Sequence, residues 1–112
     1  PAHFVTGADW LQAFEIAPEN PQFRLDGWDV TAHLRRTVEG EIELEMSTEA
    51  GTLVVADPRG RRVSVNMGAT ATAGLAPGAY VMDFRLVNAV TGLTLQTEPF
   101  AVAVSLPVTR PL

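Results

Sequence analysis

The feature that most restricts this chain is a period of two, carried by short segments with turn residues between them. Trp28, Val30, Ala32 and Leu34 alternate with Asp29, Thr31, His33 and Arg35. Tyr80, Met82, Phe84 and Leu86 do the same against Val81, Asp83, Arg85 and Val87. Successive side chains of a β-strand point to opposite faces, so each segment buries one side and wets the other. Ile42, Leu44 and Met46 repeat the pattern against Glu41, Glu43 and Glu45. Trp10, Phe14 and Ile16 also share a parity that Gln12 interrupts, and the cluster Pro18-Glu19-Asn20-Pro21 stops that strand. Leu53–Val55 and Val63–Met67 flank Asp57-Pro58-Arg59-Gly60, whose Pro and Gly suit a type I turn, so a hairpin is expected. After a single helical turn within 69–76 come the Tyr80 strand, a segment at Leu93–Thr97, and a last strand with Phe100, Val102 and Val104.

Seven or eight such strands predict an all-β, immunoglobulin-like sandwich. With 112 residues and no linker, the chain reads as one domain. Residues 1–8 are expected to form an N-terminal arm, and residues 106–112 an extended C-terminal arm that Pro107 and Pro111 keep out of any central strand.

Composition narrows the chemistry. Cysteine is absent, which removes disulfides, thiolate metal sites and cysteine nucleophiles. Thirteen acidic residues against eight basic ones give a net charge of -5, a poor basis for binding nucleic acid through phosphate neutralisation. No stretch approaches the ~20 apolar residues of a membrane span, and the start Pro1-Ala2-His3-Phe4 does not read as a leader, so the expectation is a soluble protein with no membrane partner.

Leu75-Ala76-Pro77-Gly78-Ala79-Tyr80 is the most specific local motif. It predicts a tyrosine corner, in which a Tyr at the start of the sixth sandwich strand donates its hydroxyl to upstream backbone. With Trp28, the residues Leu75, Pro77, Gly78 and Tyr80 are the expected structural set. The row Glu39, Glu41, Glu43 and Glu45 reads as a solvated strand face, since same-face neighbours lie about 6.6 Å apart and no other segment supplies converging ligands. If Leu34 faces Ile42 across a hairpin, Arg35 meets Glu41 and His33 meets Glu43. His3 lies in an arm and His33 on a wet face, away from any serine in a nucleophile-elbow pattern, so no catalytic residue, metal site or cofactor is expected and the chain is read as a non-enzyme.

Partner binding is expected at three places. Arg59, Arg61 and Arg62 gather at a hairpin tip, where they either dock on an acidic partner or simply solubilise a loop. Phe4 and Val5 in the first arm, and Leu106, Val108, Arg110 and Leu112 in the last, fall outside the alternating pattern that builds the core.

Two segments, Arg24-Leu25-Asp26-Gly27-Trp28-Asp29-Val30-Thr31-Ala32-His33-Leu34-Arg35 and Leu75-Ala76-Pro77-Gly78-Ala79-Tyr80-Val81-Met82-Asp83-Phe84, give the chain a resemblance to small tailed-phage and prophage proteins. It is similar to the N-terminal domain of baseplate upper proteins, with Trp28 where those have Tyr. The resemblance covers the middle three quarters of the sequence. It implies a non-enzymatic virion component, assembled in the bacterial cytoplasm in many symmetric copies and contacting a major capsid protein or tail and baseplate proteins. A capsid decoration or cement protein is the leading placement, and a tail or baseplate adaptor the other. A carbohydrate or host-surface recognition module is the alternative of another class, for which the few aromatics are already assigned to the core.

Overall fold

The structure is a computed structural model that describes residues 2–16, 23–57 and 61–109. Along the chain run β1 (Ala2–Val5), β2 (Trp10–Glu15), β3 (Trp28–Arg35), β4 (Ile42–Ser47), β5 (Leu53–Asp57) and β6 (Arg62–Met67). A one-turn helix, α1 (Ala69–Thr72), leads into β7 (Gly78–Asn88), β8 (Thr94–Gln96) and β9 (Phe100–Ser105). One sheet has the order β1-β9-β7-β3-β4, with β8 also on β7, and the other has the order β2-β6-β5. The sheets pack as an all-β sandwich. In the immunoglobulin frame β2, β6 and β5 take the places of strands B, E and D, while β9, β7 and β3 take those of G, F and C. Among the described residues no strand occupies the place of A beside β2.

The period-two segments form the core as their parity requires. Val30, Ala32 and Leu34 of β3 and Tyr80, Met82, Phe84 and Leu86 of β7 are buried, and the two strands pair antiparallel over the whole of β3. Opposite them, Trp10 of β2 and Val63 and Val65 of β6 close the core from the second sheet. The Pro18–Pro21 cluster and the turn around Pro58 lie outside the described residues.

Three expectations change. The described residues hold nine strands, and the additional one is β1, where an arm was expected. Ala2–Val5 pairs in parallel with Val102–Ser105, and Phe4 is buried and stacked on Trp10 with ring centroids 4.3 Å apart. Two alternating apolar residues are too short a run to show a period. The second change is the β3–β4 register. Leu34 faces Leu44, not Ile42, and His33 faces Glu45, with a bulge between Leu34 and Arg35 that skips Glu43. This register sets the large Met46 against the small Ala32, both fully buried, and leaves Ile42 exposed at the sheet margin. Third, Trp28 is only half-buried and packs on Phe23, with centroids 5.4 Å apart.

Candidate interaction surfaces

The end of the sandwich where β7 begins is closed by hydrogen bonds. The Tyr80 hydroxyl donates to the Ala76 carbonyl at 2.6 Å, which is the corner the motif implies. Arg36 completes it: its guanidinium lies 4.2 Å from the Tyr80 ring centroid, and its Nη2 donates to the Pro77 carbonyl at 3.3 Å. Gly78 has φ of +141°, and a Cβ there would collide with Arg36 Nη1, so glycine suits both the backbone and the approach of the arginine. Leu75 is buried and its carbonyl accepts from Thr6 Oγ1 at 3.2 Å. Thr72, on α1, donates its hydroxyl to the Ala8 carbonyl at 2.7 Å and accepts from the Gly7 N–H at 3.1 Å. Asp9 Oδ1 accepts from the Ala69 N–H at 2.8 Å and so caps α1 from another loop. Gln12, the polar residue that broke the parity of β2, accepts from the Trp10 indole N–H at 3.0 Å and the His3 N–H at 3.3 Å, tying β1 to β2.

These contacts reassign part of the expected partner set. Phe4 belongs to the core, and Val5 is a half-buried residue of β1. Arg61, at a φ of 61°, turns its side chain back so that Nη2 lies 3.3 Å from Glu15 Oε1, while Arg62 is exposed on β6 and Arg59 lies outside the described residues. Arg61 is therefore engaged within the domain and not free to join Arg62 in an exposed cluster. Leu106 and Val108 are exposed by 53% and 96% beyond the end of β9, and Arg110 and Leu112 lie outside the described residues.

The end where β7 finishes is open and apolar. Asn88 Oδ1 accepts from the N–H groups of Val90 and Thr91, both at 3.0 Å, and Gly92 adopts φ of +74°. This turn fixes a hairpin tip on which Val90 is 91% exposed, with Leu93 also exposed. Sequence reasoning took Asn88–Gly92 only as a turn. The signal available was Val90 itself, an apolar residue at a position that a solvated turn would fill with a polar one.

Next to this tip, the strand that runs alongside β7 breaks into β8 and β9. Thr97 Oγ1 accepts from the Phe84 N–H at 2.9 Å and the Thr97 N–H donates to the Phe84 carbonyl at 3.0 Å, so that side chain and backbone together hold the break before Pro99. Between the break and β2 lies a groove of about 580 Å³. Phe14, Phe84 and Phe100 line it with centroids 5.4–5.9 Å apart, Leu95 stands exposed at its mouth, and Glu98 lies at its rim.

Charged side chains meet around His33, whose partner across β3 and β7 is Asp83. His33 Nε2 lies 2.8 Å from Glu45 Oε2, and Arg35 Nη2 lies 3.4 Å from His33 Nδ1 on the outer face of the larger sheet. Ser47 Oγ accepts from the Ala50 N–H at 3.0 Å in a turn, and Ser64 and Ser105 lie on β6 and β9. Among the described residues no three His, Asp or Glu side chains group as a metal site, and no helix is long and apolar enough to cross a membrane. No protein-family model and no curated protein matches the sequence.

Proposed function

We propose that this chain is a non-enzymatic structural component of a tailed-phage virion, docking on neighbouring virion proteins as a capsid decoration or cement protein. The observation that supports it best is the separation of the core from the exposed apolar residues. One of the two segments that carry the resemblance, Leu75–Phe84, is consumed in the corner and in the centre of β7, whereas Val90, Leu93, Leu106 and Val108 are exposed outside the core. Exposed apolar side chains on an acidic module are suited to contact with another protein. A sandwich held by hydrogen bonds at one end supplies a rigid mount for them.

The test is cryo-electron microscopy of intact particles from a host that makes this chain. Ordered density for the sandwich on the head shell, at a symmetric position with the hairpin tip or the C-terminal segment against a neighbour, is the expected result. Density at the baseplate or tail would keep the docking role and replace the placement. Particles from which the chain is absent in every symmetric layer would overturn the reading.

A further inference from the structure

The geometry points to the groove between β2 and the β8–β9 break as the receptor for the segment Leu106–Leu112 of a second copy of this chain, in a head-to-tail contact. Three observations converge on that occupant. The first is direction. β9 starts at the groove with Phe100 and ends at Ser105, about 16 Å further on, so the segment that follows begins at the end remote from its own groove. Leu106 and Val108, which come next, are exposed.

The second is pattern. In an extended chain Leu106, Val108, Arg110 and Leu112 share one face, and Pro107, Thr109 and Pro111 share the other. The prolines favour an extended segment, which reduces the entropy lost on docking, and they confine it to an edge. β2 offers such an edge: it pairs with β6 on one side, and among the described residues no strand pairs with it on the other. Three apolar side chains on one face match a groove lined by Phe14, Phe84 and Phe100.

The third is charge. Arg110 is the only charged residue of the segment, and Glu98 stands exposed at the groove rim with no ion pair among the described residues, Glu15 beside it being engaged by Arg61. Because the segment begins at the end remote from the groove, seating it in the groove of the next copy is a head-to-tail, heterologous contact that propagates into rings or filaments. This inference does not depend on the virion reading, since it concerns self-association of the isolated protein.

Sedimentation velocity with three proteins tests it: the chain itself, a version lacking Val108–Leu112, and Leu95→Glu, which places a charge at the groove mouth on an exposed position. The unaltered chain is expected to gain mass with concentration beyond a dimer, and each variant to remain monomeric. An equimolar mixture of the two variants is expected to form a complex of two chains only, because one retains the groove and the other the segment. Arg110→Glu in the segment donor should weaken that complex about fivefold or less, as for an exposed ion pair, and Glu98→Arg in the groove donor should restore it. A chain that stays monomeric at its highest soluble concentration, or a segment deletion that leaves association unchanged, overturns the inference. So does a monomeric chain whose deletion lowers domain stability, since the segment would then lie on its own domain.

Discussion

At the end where β7 begins, the polar groups that close the fold are matched: Tyr80 with Ala76, Arg36 with Pro77, Thr72 with Ala8, and Gln12 with Trp10 and His3. At the end where β7 finishes, the Asn88 side chain holds a turn whose outcome is an exposed valine, and the break between β8 and β9 leaves three phenylalanines along a groove. The same β7 supplies both ends. The contrast is between an end whose polar groups are paired within the fold and an end whose apolar side chains are left exposed. Three variants sharpen or break that division.

The largest effect is expected at Trp10, which is buried against Phe4 and faces Phe14 edge-on at 6.4 Å. Trp10→Ala removes the ring between the two sheets and the donor that Gln12 accepts, and should destabilise the domain by about 3–5 kcal/mol. Urea titration of the purified domain measures it. A loss below about 1 kcal/mol would show that the closed end does not hold the fold.

Tyr80→Phe is a smaller cut at the same end. It keeps the ring under Arg36 and leaves the Ala76 carbonyl without its donor, so a loss of about 1–3 kcal/mol is expected in the same titration. A change near zero would mean that packing and not the hydroxyl makes the corner.

How far the sequence reveals this division follows from the range of each interaction. The strands β3 and β7 were readable because four alternating apolar residues fix a face, and the corner was readable because Leu75, Pro77, Gly78 and Tyr80 act within a few positions of each other. Arg36 was not, since it reaches the corner from 41 to 43 residues away. The role of Gln12 was hidden for a related reason: it looked like a fault in the parity of β2 until β1 was seen pairing with β9, a contact across nearly the whole chain. The β3–β4 register failed because alternation fixes the face of a strand but not its offset along the neighbour, and a bulge changes that offset by one residue. The groove was invisible for the most basic reason, that it is formed by side chains of β2, β7 and β9, which lie far apart in the chain, beside an edge of β2 that no strand among the described residues pairs with.

The smallest effect on folding is expected at the open end, and it is the sharpest test of the comparison. Val90 is 91% exposed and Leu93 is 58% exposed, so neither side chain contributes much burial to the folded state. The turn that presents them is held by Asn88 Oδ1 and Gly92, which a double substitution Val90→Ser with Leu93→Ser leaves in place. Stability should therefore change by no more than about 0.5 kcal/mol, as for surface positions away from packing or caps. Retention on a phenyl chromatography column should fall, because two projecting apolar side chains are gone while the fold is intact. A stability loss as large as that of Tyr80→Phe would show that the tip packs within the domain, and the division between a closed, stabilising end and an open, contacting end would no longer hold.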